Sequence, residues 1–224
     1  MASQKLVLYS GGQQRTNAVL HRAFVNMALG KKKTELVYIP YCKEGSSVFF
    51  KRFVRRYRAF GATHFWCLPV DDKVSQEQKK RLLRCNGVYL AGGNTFYFLK
   101  HLKQSGVFKV LKELLYRGKV IAGLSAGALI LTPHIELAAF PPYDEDENFV
   151  KLKRLTALGA VPFEFLPHYN PHSYKMKEAM LMYSHLSHRP IYACEDGGGI
   201  IINGIQTTFV GSVYQFYKGQ VIRI

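Results

Sequence analysis

The pentapeptide GLSAG (123–127) places one serine between two glycines, inside the otherwise apolar run AGLSAGALIL. It matches the pattern G-x-S-x-G, in which a serine occupies a sharp turn between a strand and a helix and its hydroxyl projects from the sheet. The preceding KVIA is typical of a strand, and the following AGALIL of the start of a helix. Small residues at such a junction can also serve close packing alone. We predict that Ser125 is a nucleophile.

A serine hydroxyl attacks a carbonyl only if a base takes its proton, and a carboxylate commonly orients that base. Of the eight histidines, His168 follows an apolar, strand-like stretch and is bracketed by Pro167 and Pro171. Prolines on both sides indicate a rigid turn at the end of a strand. His168 is therefore the predicted base, and His172, at the start of the next helix, is the reserve.

Two acidic segments could supply the carboxylate. Glu195 and Asp196 follow a short apolar strand in YACEDGGG (192–199), and either could hold the imidazole. The run from Asp144 to Glu147, within the proline-containing segment FPPYDEDENF (140–149), is a competing source, although a solvated loop is its default interpretation. The same loop could hang over the crevice.

Acyl transfer also needs two backbone N–H donors for the oxyanion. Ala126, directly after the serine, supplies one of them. The segment AGGNTF (91–96) could supply the other from a glycine, because a strand ends there and a helix begins with Asn94 as its N-cap. A phosphate-binding turn is disfavoured, since the segment lacks both GxGxxG and the lysine of a P-loop.

The elements that must position these groups alternate between short β-rich runs and stretches of helical length. This order is typical of a parallel sheet wrapped by helices, whose functional crevice lies beyond the carboxyl ends of the strands. Downstream, 172–186 has a helical pattern, and Asn203-Gly204 indicates a hairpin. The predicted strand segments are KLVLYS (5–10), ELVYIP (35–40), THFWCLP (63–69), GVYLAGG (87–93) and KVIAGLS (119–125).

The segment 46–61 predicts an amphipathic helix whose aromatic residues share one face. We expect this stripe to face the core and the interleaved basic residues to be solvated; a nucleic-acid surface is the alternative. The stripe consists of Phe49, Phe53, Tyr57 and Phe60.

The length favours a single domain over residues 1–224, here of the α/β class that the alternation predicts. The content of 48% hydrophobic residues is typical of a globular protein, and the formal net charge is +16. Neither a membrane span nor a signal-peptide pattern is visible, so we expect a cytoplasmic protein without membrane contact. The four cysteines lack zinc-ligand spacing, which favours reduced, buried thiols and no metal site. The positive charge is compatible with nucleic acid, a membrane surface or an acidic substrate.

Taken together, AGGNTFYFLKHL, GLSAGAL and LPHYNPH resemble the peptidase E family of serine peptidases, which includes aspartyl dipeptidase and cyanophycinase. The resemblance covers about residues 87–199. It implies a three-layer α/β/α sandwich with a mostly parallel sheet, similar to class I glutamine amidotransferases, with a serine replacing their cysteine. It also implies hydrolysis of small peptides through an acyl-enzyme, without metal or organic cofactor.

Position by position, the resemblance assigns Ser125 as nucleophile, His168 as base, and the N–H groups of Gly93 and Ala126 as oxyanion donors. Asp196 falls where relatives similar to cyanophycinase have a glutamate. Other relatives use an aspartate in the loop after the elbow, which keeps Asp144 as an alternative.

One member of the family cleaves peptides with an N-terminal aspartate and holds that carboxylate with basic groups near the site, so the resemblance suggests an acidic N-terminal residue. Here Glu136 stands where a basic residue is expected, and Lys175 or Lys177 would have to supply the charge. An α/β-hydrolase esterase is a rival interpretation. In those enzymes the catalytic residues follow one another along the chain as serine, acid and histidine, whereas here the predicted histidine precedes the predicted acid. The other rival is an inactive basic regulatory or nucleic-acid-associated homologue. We expect a small peptide as partner; nucleic acid and a homodimer stay open.

Overall fold

The structure is a computed structural model that describes residues 3–11, 16–29, 34–140 and 145–224. Its strands in these ranges are β1 (Lys5–Tyr9), β2 (Glu35–Ile39), β3 (His64–Cys67), β4 (Gly87–Leu90), β5 (Val120–Leu124), β6 (Glu164–Leu166), β7 (Ile191–Cys194), β8 (Gly199–Asn203), β9 (Gln206–Val210), β10 (Val213–Tyr217) and β11 (Gln220–Arg223). The helices are α1 (Asn17–Ala28), α2 (Ser46–Arg58), α3 (Gln76–Leu82), α4 (Thr95–Gln104), α5 (Val107–Tyr116), α6 (Ala126–Leu131) and α7 (Tyr174–Leu186), with a 3₁₀ turn at Glu136–Ala139.

The central sheet has seven strands in the order β3-β2-β4-β5-β1-β8-β9. The first five are parallel, and β8 and β9 run antiparallel to their neighbours. All five predicted strand segments lie in the parallel part, each ending one to three residues earlier than the sequence pattern suggested. Their carboxyl ends therefore share one edge, where the crevice was expected.

Helices cover both faces of this sheet because successive side chains of a strand point to opposite sides. In β1, Val7 and Tyr9 face the core formed with α1 and α2, whereas Leu6 and Leu8 face the core formed with α3 to α7. The predicted three-layer α/β fold with a mostly parallel sheet is confirmed.

A second sheet of four strands, in the order β11-β10-β7-β6, lies beside the larger core. Its strands β6 and β7 are parallel, so they end at the same edge. The sequence indicated both strands but not a separate sheet, because strand partners depend on contacts between distant segments. This small sheet positions two of the predicted site residues.

The predicted hairpin is present between β8 and β9, with its register shifted by one residue. Asn203 pairs with Gln206, so the turn is Gly204-Ile205 rather than Asn203-Gly204. Gly204 has a φ of 66°, a left-handed conformation that glycine adopts without strain.

The aromatic stripe of α2 is only partly confirmed. Phe53 and Tyr57 are buried and Phe60 is half-buried, but Phe49 is 56% exposed. Phe50 takes the inward position instead and packs near Phe53, with ring centroids 6.3 Å apart. Residues three and four positions before Phe53 lie on the same side of a helix, and the core accommodates one of them.

The prediction that all four thiols are buried is wrong for two of them. Cys85 and Cys194 are buried, whereas Cys42 and Cys67 are partly exposed, and all four are free. In the described ranges no helix has both the length and the hydropathy needed to cross a bilayer.

Candidate active site

Ser125 occupies a sharp turn between β5 and α6. Its φ of 50° and ψ of −111° are unusual for a residue with a side chain, and such backbone strain persists only where the surroundings enforce it. The enforcing contacts are backbone hydrogen bonds: the Ser125 N–H donates to the Tyr9 carbonyl at 3.0 Å, and its carbonyl accepts from Ala128 and Leu129. The side chain remains partly exposed, so the hydroxyl can meet a ligand.

The two glycines that flank the serine permit close packing. A Cβ atom on Gly123 would overlap the backbone of Gly127, and one on Gly127 would overlap the Leu90 carbonyl. Helix α6 therefore approaches β5 and β4 at a distance that only glycine allows. The close packing that the sequence analysis gave as the alternative role of these glycines is therefore present together with the strained turn at Ser125.

His168 joins Ser125 to a carboxylate. Its Nε2 lies 2.9 Å from Ser125 Oγ, and its Nδ1 lies 2.7 Å from Asp196 Oδ1. An ionised carboxylate can only accept, so Nδ1 carries the proton and Nε2 accepts from the serine hydroxyl. The structure thus brings together three predicted residues from the ends of β5, β6 and β7.

Two of the alternative carboxylates have other partners. Glu195 accepts from the Tyr214 hydroxyl at 3.1 Å. Asp146 accepts from the Thr95 N–H at 2.8 Å and from the Thr95 hydroxyl. Asp144 lies outside the described residues.

The reserve base His172 is not at the site. It is exposed, its backbone N–H donates to Asn170, and it does not line the cleft around Ser125.

Ser10, which the sequence analysis did not single out, fixes the histidine. Its hydroxyl accepts from the His168 N–H and donates to the Cys194 carbonyl, both at 2.7 Å. Ser10 is fully buried, and His168 itself has a left-handed φ of 57°. One side chain after β1 therefore links the ends of β6 and β7.

Gly11 sets the space for the imidazole. A Cβ atom there would overlap both His168 Cε1 and Asp196 Oδ1. The sequence pattern that could have indicated Ser10 and Gly11 is YSGG, in which a polar and a small residue directly follow a strand at the edge where the crevice forms.

The predicted oxyanion donors flank the same cleft. Ala126 is the first residue of α6, so its N–H has no intrahelical acceptor. Gly93 lines the cleft with Ser125, and a Cβ atom on Gly93 would overlap the Tyr41 ring. A methyl group on Gly92 would lie 3.6 Å from Ser125 Cβ, which shows how closely this loop approaches the elbow.

The cleft has a volume of about 330 Å³. One wall is apolar, and the rim carries carboxylates; apart from His168, none of its described lining residues is basic. Glu136, Lys175 and Lys177 do not line it, and both lysines are exposed on α7. Within the described ranges no His, Cys, Asp and Glu side chains group as metal ligands would. The lining is Gly93, Ser125, Leu129, Leu137, Ala138, Phe140, Glu145, Asp146, Leu166, Pro167 and His168.

A serine at the carboxyl end of a strand of the central sheet is hydrogen-bonded in series to a histidine and an aspartate that follow two strands of the second sheet. This arrangement is typical of serine hydrolases. The family model of peptidase family S51 matches residues 6–210. The chain belongs to this family, whose members are serine peptidases, as the resemblance to the peptidase E family predicted.

Curated relatives agree with this assignment. The chain is 34% identical over 124 residues to an uncharacterised peptidase of Listeria monocytogenes, covering 55% of this chain and 60% of that protein. It is 27% identical over 170 residues to peptidase E of Shewanella denitrificans, covering 76% and 68%. It is 26% identical over 167 residues to a cyanophycinase of Nostoc, covering 72% and 55%. The chain thus spans about 60% of the first curated relative's length.

Solved structures show the same fold. A Listeria monocytogenes protein provisionally named peptidase E superposes with a TM-score of 0.73 at 25% identity, covering 93% of this chain and 98% of that one. A peptidase from an acI-B1 actinobacterium superposes with a TM-score of 0.68 at 16% identity, covering 99% and 97%.

Proposed function

We propose that this protein is a serine peptidase that hydrolyses small peptides through a covalent acyl-enzyme. The observation that carries the proposal is the continuous set of hydrogen bonds from Asp196 through His168 to a strained, accessible Ser125. A buried or structural serine would need neither the strained backbone nor a histidine fixed by a carboxylate.

In the acylation step, His168 Nε2 takes the proton of the Ser125 hydroxyl as Oγ bonds to the scissile carbonyl carbon. The N–H groups of Gly93 and Ala126 stabilise the resulting oxyanion. The imidazolium, stabilised by Asp196, then donates its proton to the departing amine as the peptide bond breaks.

In the second step, His168 takes a proton from a water molecule that attacks the ester on Ser125. The tetrahedral intermediate collapses, Ser125 regains its proton from the imidazolium, and the acid product leaves. Every proton is accounted for by these side chains and the water.

The size of the cleft supports a short substrate. A volume of about 330 Å³ is at the lower end of ligand pockets, which typically span about 300–1,000 Å³. Peptidase E of Shewanella denitrificans and the cyanophycinase of Nostoc are both named for hydrolytic activities, which is consistent with a peptidase. A dipeptidase-like activity is accordingly the form that we propose.

Replacing Ser125 with alanine tests the proposal. We expect Ser125→Ala to lower the rate of peptide hydrolysis by at least about 10³-fold, because nucleophile and base act as a unit. A dipeptide library digested by both proteins and read by mass spectrometry measures this loss. Ser47→Ala, at an exposed position of α2, is the matched control and should retain full activity. Hydrolysis by Ser125→Ala within a few-fold of the parent would contradict the mechanism.

A further inference from the structure

The charged groups of the cleft are not those that a peptidase for acidic residues requires. Apart from His168, its charged lining residues in the described ranges are Glu145 and Asp146. A substrate aspartate in this cleft would meet like charges, which disfavours binding, whereas a cation would be attracted.

The acidic segment is held firmly against the mouth of the cleft. The Asp146 N–H donates to the Ala138 carbonyl at 2.7 Å, and its carboxylate accepts from Thr95 at the start of α4. The Asn94 amide donates to the Glu147 carbonyl at 2.9 Å. These anchors directly follow Glu145 and fix its place at the rim.

The carboxylates of Asp146 and Glu145 differ in the hydrogen bonds that they already accept. One oxygen of Asp146 is engaged by Thr95. Glu145 is exposed, and its side chain makes no ion pair or hydrogen bond with the described residues. Glu145 is therefore the carboxylate available to a ligand.

The opposite wall suits an uncharged side chain. Leu129, Leu137 and Leu166 line the cleft and are each at most 5% exposed, with Phe140 beside them. Burial of an apolar side chain on this wall is favourable, whereas burial of an unpaired charge there would be costly.

From these features, and resting on the proposed function, we infer that the cleft selects peptides with a free N-terminal ammonium and an apolar first side chain. Glu145 binds the ammonium, and the leucine-rich wall holds the side chain. The substrate class is thus neutral, unblocked short peptides rather than peptides that begin with aspartate.

The test compares four aminocoumarin amides as substrates: those of leucine, aspartate and arginine, and that of N-acetyl-leucine. We expect the leucine amide to have a kcat/KM at least about tenfold above the others, since a charge-assisted hydrogen bond commonly contributes a factor of this order. A preference for aspartate or arginine, or equal rates with and without acetylation, would overturn the inference.

The variant Glu145→Gln assigns the ammonium site. We expect its KM for the leucine amide to rise about tenfold, with little change for the N-acetyl compound, which has no ammonium. Glu147→Gln is the matched control, because Glu147 is an exposed neighbour that does not line the cleft. An unchanged KM in Glu145→Gln would refute the assignment.

Ser125→Ala separates the two proposals. If hydrolysis depends on Ser125 but prefers aspartate, the inference fails and the proposed function stands. If no peptide or amide is hydrolysed in a Ser125-dependent way, the proposed function fails and the inference fails with it.

Discussion

The imidazoles of His168 and His21 each lie within hydrogen-bond distance of two side chains, but their surroundings are very different. His168 contacts Ser125 and Asp196, and its side chain is 42% exposed at the cleft. His21 lies with Nδ1 3.0 Å from the Tyr57 hydroxyl and 3.2 Å from the Tyr9 hydroxyl, and it is 8% exposed. Burial lowers the pKa of His21 to about 3, so its imidazole is neutral near pH 7.

The difference shows that a histidine hydrogen-bonded to a hydroxyl is not in itself a catalytic base. A base must become charged during the reaction. Asp196 would stabilise the charge on His168, whereas burial and, to a smaller extent, the positive charge of Arg56 disfavour it on His21. A base also needs a substrate beside it, and only His168 of the two lines the cleft. Backbone strain separates the sites as well: Ser125 and His168 have positive φ values.

The largest effect expected in this comparison comes from the carboxylate. In Asp196→Asn the acceptor for Nδ1–H is weakened and the imidazolium is no longer stabilised, so we expect kcat to fall by about 10⁴-fold, as in other serine peptidases. Steady-state kinetics with a cleaved dipeptide measures the loss. Glu195→Gln is the control, since Glu195 bonds Tyr214 and not His168. Equal losses in both variants would show that Asp196 is not the orienting acid.

A smaller effect is expected from Gly11→Ala, which adds one methyl group against His168 and Asp196. Because misplacement of a catalytic group by about 1 Å can cost about 10²-fold, we expect kcat to fall by that order while KM changes little. The thermal unfolding of the variant should be measured alongside its kinetics, to check that it is folded. If the variant is folded and fully active, the imidazole is not held at the position seen in the structure.

The smallest effect on activity is expected from His21→Gln, which should leave peptide hydrolysis within a few-fold of the parent. The substitution should instead change the pH dependence of the free energy of unfolding. Between the folded pKa of about 3 and the ordinary value of 6.5, the unfolded state binds more protons at His21. The free energy of unfolding of the parent therefore falls as the pH decreases through this range, by up to about 1.4 kcal/mol per pH unit.

Glutamine cannot titrate, so the free energy of unfolding of His21→Gln should depend less steeply on pH between about 6 and 4. Denaturant unfolding of both proteins at a series of pH values measures this difference. Identical pH dependence would show that His21 is not buried as a neutral group, and a large loss of activity would remove the distinction between the two histidines.

Several parts of the fold could be predicted because they depend on local pattern. The five β-rich runs became the parallel strands β1 to β5, and the strand, GLSAG and helix order became the elbow of Ser125. Phe49 shows where a local pattern is insufficient: helical spacing allowed it or Phe50 to face inward, and the packing partners decided between them.

The carboxylate shows the same limit within the site. Glu195 and Asp196 are adjacent in sequence and follow the same strand, so only their directions in space assign one to His168 and the other to Tyr214. Ser10 and Gly11 gave weak signals because their role depends on His168, which lies more than 150 residues away.

The sequence by itself determined the alternation of strands and helices, the elbow around Ser125 and the residue types for acyl transfer, because these follow from periodicity and from short-range backbone geometry. Only the tertiary structure decided that β6 and β7 form a second sheet, that Asp196 meets His168 and that carboxylates border the cleft. Those outcomes depend on the meeting of segments far apart in the chain, and no local pattern encodes the distance between them.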